Sequence, residues 1–162
     1  MTPKSLLPLL AALSIPASVS AAIQTDYVDI SSFRDFSLSG GNESRAQRAF
    51  DAELKRQSRL NRLIGVGRTL KLTFLDIDMA GAIEPWRFRS ASHVRIIKDV
   101  YPPRLRFTYE LRSASGNILA SGEETLRDVS FQRYASVGRT ASPFYYEMKL
   151  LEKWARKKFP SS

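Results

Sequence analysis

Asp76 and Asp78 close the apolar run TLKLTFLDIDMAG, residues 69–81. In a strand, residues two apart point to the same face, so the two carboxylates stand side by side. Three chemistries fit that placement. The pair could hold a hard cation, with Glu84 as a third oxygen donor. It could work as a general acid and base. It could also end the strand by pairing with the arginines that follow, Arg87, Arg89 and Arg95. Calcium loops gather several acidic or amide oxygens within about a dozen residues, and only these three occur here. Pairing is therefore the reading carried forward, with no metal, no cofactor and no catalytic residue assigned.

Other chemistries find few residues to work with. The single histidine, His93, rules out a His-rich metal site and leaves one candidate for a histidine base. Gly65-Val66-Gly67 precedes a strand instead of opening a helix, unlike a phosphate-binding loop. The serines of GNES and SASGN lack the strand–elbow–helix setting of a hydrolase nucleophile.

The basic residues form a second pattern. From Glu43 to Ile64 there is neither Gly nor Pro, and Ala46, Ala49, Phe50, Leu54, Leu60 and Ile64 fall on one helical arc. Asn42 or Ser44 would cap this helix, and Gly65 and Gly67 would end it. On its other side lie Arg45, Arg48, Lys55, Arg56, Arg59 and Arg62. A stripe of one sign is either a solvated face or a surface for an anionic partner. It is the best binding-surface candidate in the chain.

Elements must position these groups. Residues 25–30 read as a short strand. Leu70, Leu72 and Phe74 share a face with the aspartates, while Leu75, Ile77 and Met79 take the other. A strand buried on both faces, or one with a bulge at Phe74-Leu75, would give that switch. Val94 to Ile97 is a further strand, stopped by Pro102-Pro103. Leu105, Phe107, Tyr109 and Leu111 alternate with polar residues, SASGN is a turn, and Ile118 to Leu126 returns. Across that hairpin Arg106 would face Glu123 or Glu124. Ser142 and Pro143 would open a last helix, packed through Tyr146, Leu150, Leu151 and Trp154. Its end is crowded by Lys149, Lys153, Arg156, Lys157 and Lys158, cations that suit a helix C-terminus. The order predicts the α+β class: one domain, an antiparallel sheet of four to five strands, a long helix after the first strand and a C-terminal helix on the sheet.

The N-terminus reads as a leader. Lys4, the apolar run Leu6 to Ile15 and Val19-Ser20-Ala21 match a secretory signal peptide over residues 1–21, removed before folding, which leaves 22–162 as the domain. About ten apolar residues are too few for the roughly twenty that span a bilayer, and no later stretch is longer. The chain has no cysteine, so it forms no disulfide and carries no lipid on a cysteine after the leader. The expected location is a bacterial periplasm, with secretion beyond it the other destination. Of 25 Lys and Arg, only Lys4 lies in the leader; the remaining 24 face 16 Asp and Glu, a net charge of +8. Such an excess attracts polyanions, here lipopolysaccharide, anionic lipid or acidic polymers, or serves solubility alone; a periplasmic protein is the other partner expected. Arginines interleave with aromatics at 86–88 and 104–109 as on nucleic-acid surfaces, but an exported chain has no physiological nucleic-acid partner.

The segments LTFLDIDMAGAIEPW, VRIIKDVYPPRLRFTYEL, SGEETLRDVSF and EMKLLEKW together resemble the bacterial family called domain of unknown function 3016, over nearly all of residues 22–162. The matching positions are Asp76, Asp78, Gly81, Trp86, Arg95, Pro102, Pro103, Arg104, Gly122 and Glu123, then Asp128, Glu147 and Trp154. The resemblance implies export and this domain extent, and it supplies no active site. The expectation is a non-enzymatic binding module working through the basic helix face. The alternative is an envelope hydrolase using Asp76, Asp78 or Glu84 with Arg95 or Arg104, and it requires those groups to converge in a cleft.

Overall fold

The structure is a computed structural model that describes residues 21–38, 41–86, 94–134 and 142–160. β1 (Ala22–Tyr27) leads through a 3-10 turn at Ile30–Ser32 into α1 (Glu43–Arg56) and α2 (Ser58–Ile64). Then come β2 (Thr69–Asp78), β3 (Ala82–Ile83), β4 (Arg95–Ile96), β5 (Arg104–Arg112) and β6 (Ile118–Arg127). A second 3-10 turn, Phe131–Tyr134, precedes α3 (Tyr145–Lys158).

The class is α+β, with a long helical segment after the first strand and a C-terminal helix on the sheet. Four strands form the main sheet in the order β1-β2-β5-β6. It is mixed instead of wholly antiparallel, because β1 runs parallel to β2 while β2–β5 and β5–β6 are antiparallel. The two helices supply the crossover that parallel neighbours require. The predicted strand around Ile96 is short, and it pairs with β3 in a separate two-stranded sheet.

Side-chain alternation sorts the sheet into two faces. Leu72 and Tyr109 share one register row and Phe74 and Phe107 another, and all four are buried beneath the helices. Phe50 of α1 is fully buried, with Phe36, Phe74 and Phe144 edge-on to it at 5.7, 5.4 and 5.1 Å between ring centres. Trp154 seats α3 on the sheet, edge-on to Phe107 and Tyr109 at 5.0 and 5.2 Å. Burying rings of this size contributes roughly 1.5–3 kcal/mol each. The opposite face carries Asp76, Asp78, Arg104, Arg106, Glu123 and Arg127, none of them buried.

The switch of apolar side in β2 comes from a bulge: the register to β5 shifts between Phe74 and Asp76, leaving Leu75 as the extra residue. Without it Asp76 and Asp78 would point into the core. The single long helix of the sequence reading is two helices, broken at Gln57 (ψ 83°). Asn42 caps the first, its side chain accepting from the Arg45 N–H at 2.9 Å. α3 begins two residues later than Pro143, and Ser142 Oγ accepts from the Phe144 N–H at 3.2 Å in the turn before it.

Candidate functional site

The aspartates sit where β2 meets a short parallel segment. Phe33 and Phe36 are buried and draw residues 34–35 along the strand end. There the Asp35 N–H donates to Ile77 O at 3.3 Å and the Met79 N–H to Asp35 O at 3.0 Å. Asp76 Oδ1 accepts from the Arg34 N–H at 3.0 Å, and its other oxygen lies 3.5 Å from Arg34 Nε. Asp76 thus pairs with an arginine that precedes it in sequence. Arg95 does not reach either aspartate of the pair. Its two terminal nitrogens each lie 2.7 Å from an oxygen of Asp35, and they donate further to Gly81 O at 3.1 Å and Ser37 O at 3.3 Å. Arg87, Arg89 and His93 lie outside the described residues.

Beyond Asp78 the chain turns through Gly81. Its φ is +79°, and an added Cβ would meet Ile96 O at 2.5 Å, so only glycine fits. Beside it, the Ala80 N–H donates at 2.7 Å to Glu147 Oε1. Glu147, in the first turn of α3, is fully buried, and its second oxygen has no hydrogen-bond partner among the described residues. Burial raises its carboxyl to about 7, against the lowering effect of the backbone hydrogen bonds and the Arg95 charge. Asp78 is also raised, first by partial burial and then by the neighbouring charges of Asp35 and Asp76. Glu84, the proposed third member, is drawn away: it is buried and accepts from Lys98 and from Tyr101 Oη. Among the described residues no three acidic or histidine side chains gather as a metal site would need.

Asp78 and Arg104 do line a common cleft of about 500 Å³, with Arg34, Asp35, Tyr101, Pro102 and Arg127. The other positions that carry the family resemblance have structural surroundings. Pro103 is buried and Pro102 half-buried at the entry to β5. Gly122 lies under the Tyr109 ring, whose atoms would be 3.2 Å from an added Cβ. Glu123 pairs with Arg106 at 2.7 Å, and Asp128 with Lys153 at 3.3 Å. Trp86 is 77 % exposed.

The basic helix face divides. Arg45, Arg48, Lys55 and Arg62 are exposed and make no ion pair among the described residues. Arg56 is paired to Glu53 at 2.8 Å. Arg59 reaches across to α3, 3.4 Å from Glu152, which Lys149 and Arg156 approach at 3.2 and 2.8 Å. Burial alone would raise the Glu152 carboxyl, but hydrogen bonds and attraction from Lys149 and Arg59 outweigh it and hold it below the ordinary value. One carboxylate among three cations leaves a net positive surface. It forms one wall of a groove of about 460 Å³ that has Tyr145, Tyr146 and Phe131 among its lining residues. The two basic clusters read separately in the sequence meet here.

Asp35, Arg34, Arg127 and Glu152 were not singled out from the sequence. The signal for Asp35 lies in Phe33-Arg34-Asp35-Phe36, where two apolar residues flank the charges in a stretch otherwise typical of a loop. Comparison with known families gives one finding: the model described as Protein of unknown function (DUF3016) matches residues 21–157. No curated protein matches the sequence.

Proposed function

The chain belongs to the family described as Protein of unknown function (DUF3016), and on that premise we propose that it is a small non-enzymatic binding protein of a bacterial periplasm. Residues 1–21 are its export signal and 22–162 its working domain. Its partner is an anionic envelope component, a lipid head group or lipopolysaccharide, held in the groove between α2 and α3. The observation that carries this reading is the triple engagement of Glu152 by Arg59, Lys149 and Arg156. A single carboxylate pre-positions three cations without neutralising them, beside aromatic rings suited to apolar parts of the same ligand. No helix among the described residues is long and apolar enough to cross a membrane, which fits a protein that meets the envelope through its surface.

The hydrolase alternative has less support. Asp76 is committed to Arg34 and Glu84 to Lys98 and Tyr101, leaving Asp78 without a second carboxylate free for acid–base work.

The test is co-sedimentation with vesicles of anionic or of purely zwitterionic lipid, and with lipopolysaccharide aggregates. Binding to the anionic surfaces alone is expected, weakening as salt rises from about 0.05 to about 0.5 M. Arg59→Gln and Arg156→Gln should each reduce it, while Lys149 still holds Glu152 in place. Equal binding to neutral vesicles, or none to any, would refute the proposal.

A further inference from the structure

The cleft at the end of the main sheet carries charges that the fold leaves unmatched. Asp78 pairs in register with Arg104, and Arg104 with Arg127, so the three lie in one row across β2, β5 and β6. Asp35, bridged to Asp78, extends the row. Its signs run negative, negative, positive, positive, and all four side chains line the same cleft. Two arginines directly opposite each other on neighbouring strands repel. Neither makes an ion pair or a side-chain hydrogen bond among the described residues, and neither does Asp78. Asp35 is occupied by Arg95 on two oxygens, and Arg34 lies against Asp76. What remains is a guanidinium pair that makes no close ion pair among the described residues, and beside it a carboxylate that Arg104 attracts from the next strand without contact and that Asp35 and Asp76 repel. Partial burial and the charges of Asp35 and Asp76 hold the Asp78 carboxyl above its ordinary value, against the opposing attraction of Arg34 and Arg104.

We propose that this cleft binds a small ligand carrying both an oxyanion and an ammonium group, the oxyanion between Arg104 and Arg127 and the ammonium at Asp78. Strands lie roughly 4.8 Å apart, so Asp78 stands one strand from Arg104 and two from Arg127. That spacing suits charges separated by a few bonds. Guanidinium groups match carboxylate and phosphate in a planar fork. A volume of about 500 Å³ accommodates a short peptide or a phosphoethanolamine unit. Both sources carry the same pair of charges. The site is distinct from the α2–α3 groove and stands or falls without it.

Isothermal titration calorimetry on the protein tests the assignment, with glycylglycine and O-phosphorylethanolamine as zwitterionic probes. Acetate, inorganic phosphate and ethanolamine serve as the single-charge halves. At least one zwitterion should bind roughly tenfold or more tightly than either of its halves, and which one does identifies the source. Arg104→Gln and Arg127→Gln should each weaken it roughly tenfold to hundredfold, the loss of a charge-assisted contact. Asp78→Asn should remove the preference for the zwitterion over its anionic half while leaving the anion bound. Because Arg127→Gln relieves a repulsion and removes no ion pair, its Tm should stay at or above that of the parent. The proposal is overturned if no probe binds, if the anionic half binds as well as the zwitterion, or if binding survives both arginine substitutions. It is equally overturned if Arg127→Gln lowers Tm, since that guanidinium would then not be opposed and unmatched.

Discussion

Replacing Glu147 with Gln should make the protein more stable at mildly alkaline pH and leave it nearly unchanged at mildly acidic pH. The side chain is fully buried, one oxygen accepts from the Ala80 N–H at 2.7 Å, and the other has no partner among the described residues. The folded carboxyl is raised from 4.5 to about 7, so between those values the native state holds a proton that the unfolded chain has released. Stability from this group is therefore fully present below about pH 4.5 and is lost as pH rises through about 7. A separation of about 2.5 units corresponds to roughly 3 kcal/mol, of which roughly 2 to 3 kcal/mol falls between about pH 5 and about pH 8. Glutamine copies the neutral acid: its carbonyl can keep the Ala80 bond, and it cannot ionise. Urea denaturation of both proteins at the two pH values gives the double difference, in which Asp78, Glu152 and every other shared titration cancels. The expected result is near equality at about pH 5 and a gain of roughly 2 to 3 kcal/mol for the variant at about pH 8. The same stability difference at both pH values would refute the reasoning, because the carboxyl would then be ionised or neutral in both conditions.

Two further substitutions probe the same corner of the molecule. Gly81→Ala forces a left-handed backbone on alanine and sets its Cβ 2.5 Å from Ile96 O; a loss of about 2 kcal/mol or more, or failure to fold, is expected by circular dichroism and urea denaturation. Arg95→Ala removes both contacts to Asp35, at side-chain exposures of 16 % and 25 %. It should cost about 2 kcal/mol, less than the 3–5 of a fully buried pair because water still reaches the site. A double-mutant cycle with Asp35→Ala should recover most of that loss as coupling.

The fold was legible where periodicity alone decides it. The β5–β6 alternation, the side switch at Phe74-Leu75, for which a bulge is one of two readings, and the packing face of α3 all follow from which residues are apolar. The break at Gln57 was missed, because no Gly or Pro marks it and its one signal is a spacing. Leu54 and Leu60 are both buried yet six residues apart, and at about 100° per residue Leu60 would stand about 120° from Leu54 on an unbroken helix. Rephasing at Gln57 brings both to the core. The parallel pairing of β1 was not legible, since strand direction depends on where the helices return the chain and leaves no local trace. The partners of the aspartates were missed for a similar reason. Asp76 and Arg95 take Arg34 and Asp35, residues some 40 to 60 positions away by sequence separation, which only the packed Phe33 and Phe36 bring to the strand end.

The two surfaces are joined by specific residues. At the end of β6, Arg127 faces the cleft while the next residue, Asp128, holds Lys153 of α3 at 3.3 Å and lines the groove. Glu147 makes a second joint: it lies two residues before Lys149 and five before Glu152 on α3, and its bond to Ala80 fixes the loop that places Asp78 and Gly81. A helix held to the sheet at both points moves little relative to the cleft. Cutting the Glu147 joint without altering any lining charge, as Glu147→Ala would, should therefore loosen the Asp78 loop and weaken zwitterion binding in the cleft. Calorimetry on that variant, with folding confirmed by circular dichroism, separates the two roles: unchanged affinity would mean that the loop is held by Arg95 and Asp35 alone.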